Sequence, residues 1–262
     1  MTDNKKIKLA CMSLMWGPMD SAEKMTGWID DVVAAGYEGV GTFDRFLIQL
    51  TSETDFVDQI NDRGLSLANV NFKIQRDFDM LERICEIMQT LGARHLVTIG
   101  GLATRGADMD EIAELLDQIG EIALTYDVRA CYHNHTNHVG ETLEETEALI
   151  SRTDPSKFFG FLDVGHATKD FVDHPVEKRA AIFLERNWDR IDFIEFKDWS
   201  EEHNLNTEVG AGSCDYNSVF QILKEKDYSG WITIEQNGPT DTKSALECAQ
   251  KSREFILQGL GS

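Results

Sequence analysis

The feature that most constrains this chain is an alternation running its whole length. Eight short β-rich runs, at 8–17, 37–43, 66–74, 95–101, 129–135, 158–166, 191–199 and 231–237, are separated by stretches whose apolar residues recur at three- and four-residue steps. Period two followed by period 3.6 is the pattern of a strand and then an amphipathic helix. The helical stretches include AEKMTGWIDDVVAAG, LERICEIMQTLG, EIAELLDQIGEIALTYD, TLEETEALISR, YNSVFQILKEKD and the closing SALECAQKSREFILQGL. Asp108 or Asp110, Thr142 and Asp215 have side chains suited to capping helix N-termini, and Gly36, Gly64 and Gly92 stand where helices end. Eight β–α units in 262 residues fit a closed barrel of parallel strands. An open doubly wound sheet is the rival, but no GxGxxG follows the first run. The expectation is an α/β chain forming a (β/α)8 TIM barrel, with residues 1–262 as one domain because no linker or low-complexity tract divides them.

In such a barrel, function resides where strands end. Polar residues gather there: runs five to eight end in Tyr132-His133-Asn134-His135, Asp163-Val164-Gly165-His166, Glu195-Phe196-Lys197-Asp198 and Glu235-Gln236-Asn237. Alternation puts Phe161 with Asp163, Phe193 with Glu195 and Lys197, and Trp231 with Thr233 and Glu235. If these faces point inward, three carboxylates from adjacent strands converge near the mouth. They cannot all be ionised without a counter-charge, so either some are protonated or a cation holds them. Glu141, in the loop after run five, offers a fourth oxygen donor. A divalent metal opposite Glu195 is the expectation, with Lys197 reaching past it toward a substrate. Blander readings stand beside this one. A single acid at a strand end is more often a cap or loop charge. His133, His135 and His138 read as a surface cluster as readily as a site, and Glu144, Glu145 and Glu147 read as a solvated helix face.

The bulk numbers narrow the partners. A net charge of −21 repels phosphate backbones and anionic lipid. No apolar run approaches a membrane span, and the first residues lack a signal-peptide layout. The reading is a cytoplasmic protein with neither nucleic-acid nor membrane partner. Cys11, Cys85, Cys131, Cys214 and Cys248 are scattered without a CxxC, which indicates neither a disulfide framework nor a thiolate zinc site.

The phrases YHNHTNHVGETLEE, LDVGHA, EFKDW, EVGAGSCDY and GWITIEQN, in this order and spacing, resemble the xylose isomerase-like TIM-barrel superfamily, the sugar phosphate isomerase/epimerase group. The resemblance covers most of the chain, is densest from residue 130 onward, and is nearest the myo-inosose dehydratase branch. It implies a metal held by a Glu after strand five, an Asp ending strand six, a His in an HxKD phrase on strand seven and a Glu ending strand eight. Carried over, these fall on Glu141, Asp163, position 195 and Glu235. The chain departs at 195, where Glu195 stands in place of His. Four carboxylates favour a hard ion, so Mn²⁺ is expected, with Mg²⁺ or Co²⁺ as alternatives. Otherwise His135 or His166 takes a ligand position and Glu195 acts as acid or base, or the barrel has lost its metal.

His133, His135 and Lys197, the last being the Lys of the HxKD phrase, are the catalytic candidates. The resemblance implies a substrate contact from His166, and Asp198, the Asp of that phrase, and Trp16, at a strand end, are further substrate-binding candidates. The GxGxxDY phrase, Gly210 to Tyr216, reads as a loop whose glycines let backbone approach a sugar. Trp16, Phe43 and Phe72 read as an apolar floor for that sugar or as core packing. The implied activity is enolisation of a small carbohydrate or cyclitol ketone, a sugar, keto-sugar or inosose, ending in isomerisation or epimerisation. Elimination of a β-leaving group, as in a dehydratase or lyase, is the alternative. A non-catalytic or partner-dependent barrel is the reading from another class, and a homo-oligomer or partner subunit is left open.

Overall fold

The structure, a computed structural model, describes residues 7–261. Its strands are β1 (Ile7–Met12), β2 (Gly39–Phe43), β3 (Ser66–Lys73), β4 (His95–Ile99), β5 (Arg129–Tyr132), β6 (Phe158–Asp163), β7 (Ile191–Phe196), β8 (Asp198–Ser200), β9 (Asn204–Thr207) and β10 (Gly230–Ile234). Strands β1 to β7 pair in sequence order, and β10 closes the ring between β7 and β1, every pair parallel. This is the closed eight-stranded barrel that the alternation predicts. The short antiparallel pair β8–β9 stands outside it.

Around the barrel run α1 (Ala22–Ala35), α2 (Asp44–Glu53), α3 (Phe56–Asp62), α4 (Phe78–Thr90), α5 (Met109–Leu124), α6 (Leu143–Arg152), α7 (Val164–Asp170), α8 (Arg179–Arg186), α9 (Tyr216–Glu225) and α10 (Ala245–Leu260). Asp108, Thr142 and Asp215 cap α5, α6 and α9 with their side chains, and Gly36 ends α1 in the left-handed region at φ 84°. The acidic face of α6 is not simply solvated. Glu145 closes a capping box with Thr142, and Glu147 accepts from Asn187 Nδ2 at 2.9 Å.

Most expected runs end short of their C-terminal bounds: β1 stops at Met12, β4 at Ile99, β5 at Tyr132 and β10 at Ile234. Two others do so for local reasons at the site. Run six stops at Asp163, because that side chain accepts the His166 N–H and starts α7. Run seven leaves the barrel after Phe196, and residues 198–200 turn into the β8–β9 hairpin.

The largest apolar cluster lies between barrel and helices, where Trp28, Phe56, Phe72 and Phe183 are fully buried. A second, smaller one fills the lumen with Val97, Cys131, Phe161 and Phe193, flanked by Phe159 and Trp231. Phe72 therefore packs on the helix side and not in a sugar floor. Polar groups lie toward both ends of the lumen. Near the N-terminal ends of the strands, Arg129 Nη2 lies 2.8 Å from Asp192, His95 stacks on Phe193 with centroids 4.5 Å apart, and the Arg129 guanidinium lies over Phe159. At the other end lies the candidate site. Among the described residues, no helix is long and apolar enough to cross a membrane.

Gly120 marks where α5 presses on the chain entering β6. An added Cβ there would sit 2.4 Å from the Lys157 carbonyl oxygen, a backbone atom that cannot swing away. Gly120→Ala gains roughly 1 kcal/mol of helix propensity, while overpacking costs about 1–3 kcal/mol. We expect a net loss on the order of 1 kcal/mol, read as a lower urea midpoint with an unchanged slope.

Candidate metal and active site

Side-chain alternation delivers the site. Asp163 ends β6, and Glu195 is its register partner on β7, so the two carboxylates project inward side by side. His133 follows β5, extends the pairing through its N–H to the Thr98 carbonyl, and lies over the lumen residue Phe161 with centroids 4.9 Å apart. His133 Nε2 is 3.5 Å from Asp163 Oδ2 and 3.6 Å from Glu195 Oε1, and all three side chains are fully buried. Donor atoms roughly 2.1 Å from a shared ion lie within about 4.2 Å of one another, so these two separations suit one ion. Among the described residues this is the group in which three donor atoms lie within 4.8 Å of one another.

The orientation of each donor points the same way. His133 Nδ1 donates to the Asn134 carbonyl at 2.9 Å, which leaves Nε2 bare. Asp163 Oδ1 accepts the His166 N–H at 2.9 Å, which leaves Oδ2 without a partner. Both Glu195 oxygens and Glu235 Oε2 are likewise buried and unpartnered. Asn134 splints β5 to β6: its Nδ2 donates to the Asp163 carbonyl at 3.0 Å and its Oδ1 accepts the Asp163 N–H at 2.8 Å.

Lys197 supplies the buried cation among these acids. Its Nζ lies 2.8 Å from Glu235 Oε1, and its stem runs so close to α7 that a Cβ on Gly165 would sit 2.8 Å from Lys197 Cγ. Burial works to lower its ammonium, but Glu235, Asp163 and Glu195 outweigh that and push it up. Burial pushes Asp163 up to about 7, against the pull of Lys197, and also raises Glu195 well above the usual carboxylate range with help from the Glu235 charge. Three carboxylates against one ammonium leave a formal charge of −2 when all are ionised. One imidazole lone pair, several unpartnered oxygens and that deficit together fit a divalent cation.

The other predicted residues are spread around this group. Glu235 stands beside it, paired with Lys197. Glu141 stands apart: its Oε2 accepts from Arg105 Nη1 at 2.7 Å and from the Asn137 N–H at 2.8 Å. That placement comes from the strand-four loop, which bonds to the strand-five loop through Arg105 N–H to Asn137 O and Val139 N–H to Ala103 O. His166 and His135 stack with centroids 4.0 Å apart, and His138 continues the stack 4.5 Å from His135. Burial lowers all four imidazoles, His135 to about 3, so each is neutral at pH 7. Trp16 is half-buried, its indole N–H given to Asp31 on α1 at 2.8 Å.

Asp198 turns away from this chemistry. Its carboxylate accepts the N–H groups of Trp199, Gly210, Gly212 and Cys214 at 2.8 to 3.2 Å. The glycines of GxGxxDY serve the same wrapping: a Cβ on Gly212 would sit 2.3 Å from Asp198 Oδ1, and one on Gly210 would strike the Phe255 ring. They bring backbone to Asp198, where the sequence reading brought it to a sugar. The membership of His133 was missed, though its signal was present: it shares inward parity with Cys131, as Asp163 does with Phe161. Thr136, Lys169 and Asp170, which surround His166, had no such signal.

A family model described as the xylose isomerase-like TIM barrel matches residues 29–256. The chain belongs to this family. Within it, the chain is 27% identical over 269 aligned residues to the inosose dehydratase of Lactiplantibacillus plantarum, covering 88% of this chain and 87% of that one. A D-allulose 3-epimerase from Methylomonas sp. shares the fold at TM-score 0.77 and 19% identity, covering 98% of this chain and 99% of that one. So does a xylose isomerase-like TIM-barrel protein from Mycobacterium smegmatis solved with magnesium, at TM-score 0.74 and 16% identity, covering 99% and 98%.

For this member of the xylose isomerase-like family the donor geometry makes a binding prediction. A divalent cation at a hundredfold over its Kd, with Mn²⁺ as the probe, is expected to stabilise the fold by about 2.7 kcal/mol, read as a rise in Tm that EDTA reverses and that Asp163→Asn and Glu195→Gln remove. Affinity weakens as pH falls toward and through about 7, because the Asp163 carboxyl, raised to about 7, and the raised Glu195 carboxyl must both release protons to bind. Calorimetry below and above that pH, in buffers of different ionisation enthalpy, checks both the slope and the proton release.

Proposed function

We propose that this protein is a divalent-metal-dependent enzyme that enolises a keto-sugar or inosose, within the isomerase, epimerase and dehydratase group of its family. The observation that carries this reading is the set of buried, unpartnered donors on His133, Asp163 and Glu195 beside the Lys197–Glu235 pair. In it, His133, Asp163 and Glu195 hold the ion, with Glu235 Oε2 as a further donor. The family pattern implies a carboxylate after strand five and an imidazole on strand seven. Here His133 and Glu195 have exchanged those two places, so the kinds of donor are kept while their strands change. One imidazole among carboxylates suits Mn²⁺ first, with Mg²⁺ or Co²⁺ able to replace it.

A cation bound there supplies Lewis-acid polarisation of a substrate carbonyl, which acidifies the neighbouring C–H. The chain's own groups do the rest. Lys197 Nζ, held by Glu235, donates to a substrate oxygen on which charge develops. A proton carrier stands at the mouth: His135, with Nδ1 given to the Thr136 carbonyl at 2.8 Å, keeps Nε2 bare. Returning the proton to a neighbouring carbon isomerises, and returning it to the other face epimerises. Expelling a hydroxyl from the β-carbon dehydrates, and similarity to an inosose dehydratase over 88% of the chain favours that outcome as a second reading. The partner is then a small polyhydroxylated ketone, with neither nucleic acid nor membrane involved. Five free cysteines, four of them buried, agree with a cytoplasmic place.

Deuterium wash-in tests the reading. Mn²⁺-loaded protein in D₂O with inososes and keto-sugars is expected to exchange the α-hydrogen, seen by loss of its proton resonance. Lys197→Met slows that exchange by roughly 10²- to 10³-fold. Loss of water in step with exchange marks a dehydratase. No exchange with any of these ketones would remove the proposal.

A further inference from the structure

His166 is the buried imidazole whose surroundings the chemistry above does not use. Its Nε2 is fully buried, has no hydrogen-bond partner, and lies 4.0 Å from Asp163 Oδ2, so it faces the metal-capable group without belonging to it. Its other nitrogen is crowded. Nδ1 meets Thr136 Oγ1 at 3.0 Å, Asp170 Oδ2 at 3.2 Å and the Thr136 N–H at 3.4 Å.

The protons of this cluster can be placed by elimination. Thr136 Oγ1 lies 2.6 Å from Asp170 Oδ2, so the hydroxyl hydrogen goes to the carboxylate. Lys169 Nζ donates to the same Thr136 oxygen at 3.0 Å, which occupies one of its lone pairs. The two nearer neighbours of His166 Nδ1 are then both acceptors. A neutral imidazole carries one proton, and at Nδ1 it meets a carboxylate and a hydroxyl oxygen. Were Nδ1 bare, its lone pair would oppose Asp170 Oδ2 across 3.2 Å, with only the longest contact, the Thr136 N–H, in its favour. The proton belongs on Nδ1, and Nε2 is an acceptor.

We propose that Asp170, acting with Thr136 and Lys169, is a positioning residue that locks His166 with Nε2 bare, so that this ring accepts a hydrogen bond from a substrate hydroxyl. This rests on the enolising reading for its substrate and deepens it. A bare imidazole nitrogen attracts an O–H and repels phosphate or carboxylate oxygen. The part of the substrate beside His166 is therefore a neutral alcohol, as in a polyhydroxylated ketone without an anionic group at that position. The backbone fixes the ring as well, since the His166 N–H is held by Asp163 Oδ1.

The first measurement is made on the unaltered protein, with one variant used for assignment alone. Long-range ¹H–¹⁵N correlation spectra of ¹⁵N-histidine-labelled protein loaded with diamagnetic Mg²⁺, with His166→Gln for assignment, report which nitrogen carries the proton. A pyrrole-like Nδ1 and a pyridine-like Nε2 for His166 are expected. A protonated Nε2, or an Nε2 resonance that moves on metal loading as a ligand's does, would overturn the inference whatever reaction the enzyme performs. Asp170→Leu is then expected to give a mixture of tautomers and Asp170→Asn to restore the single form. A tautomer unchanged in folded Asp170→Leu would also overturn it. With an inosose as substrate, Asp170→Leu raises KM about tenfold and leaves kcat within a few-fold, while a monodeoxy inosose lacking the contacted hydroxyl is indifferent to the change. If the spectra come out as expected and no ketone exchanges its α-hydrogen, the enolising reading fails while the locked tautomer stands.

Discussion

Three buried carboxyl groups facing one ammonium at one end of the barrel are the constraint on which the rest of the site depends. Asp163, Glu195 and Glu235 are buried together with Lys197 as their nearest ammonium. Each buried carboxylate costs several kcal/mol unless paired or hydrogen-bonded. A chain that only needed stability would fill these positions with apolar residues like Phe161 and Phe193 just below them. The neighbouring structure instead holds the acids still. His166 N–H fixes one oxygen of Asp163, Asn134 ties β5 to β6 at that level, and Gly165 lets α7 press on the Lys197 stem. What these contacts leave free is a set of lone pairs in fixed positions on rigid strands, the condition for a preorganised site.

How much of this was legible follows from which interactions are local. Strand and helix periods are local, so the barrel could be read from the alternation. Parity is local too, and the convergence of Asp163 with Glu195 needed only parity and adjacency of strands. The fates of Glu141 and Asp198 were not legible, because each is decided by a segment distant in sequence. Arg105 reaches Glu141 only after two loops have bonded to each other, and Asp198 meets four amides only after residues 210–214 fold back onto it. In sequence, both look like acids free for chemistry. His133 was a different case. Its position was legible, but a histidine beside other histidines has an equally good surface reading, and burial alone separates the two.

In the proposed ligand set, His133 and Glu195 supply on each other's strands the kinds of donor that the family pattern implies. A divalent ion responds to the kinds of donor and their separation, not to the strand each comes from. An imidazole on strand five in place of strand seven would keep one neutral donor and the carboxylates, so the charge opposite such an ion would be unchanged. What shifts is direction. The neutral donor now stands on the β5 side, next to the stacked rings of His135 and His166, while Glu195 stands between Asp163 and the Lys197–Glu235 pair. The negative charge is thereby drawn together on β6, β7 and β10, and the uncharged polar groups face it from the strand-five loop.

The opposite end of the same barrel supplies the control for this argument. Arg129, His95 and Asp192 place charge on the same strands, near their N-terminal ends. There, one guanidinium meets one carboxylate at 2.8 Å, its plane lies over Phe159, and His95 stacks on Phe193. Charge within the barrel is therefore not by itself the mark of a site, and a count of polar residues along β4, β5 and β7 does not separate the two ends. Balance separates them. Arg129 and Asp192 cancel near the N-terminal end, and burial lowers the His95 imidazole beside them. At the C-terminal end Asp163, Glu195, Glu235 and Lys197 sum to −2 with the three carboxylates ionised, and donor atoms are left open toward a common point, a deficit that one divalent ion would offset.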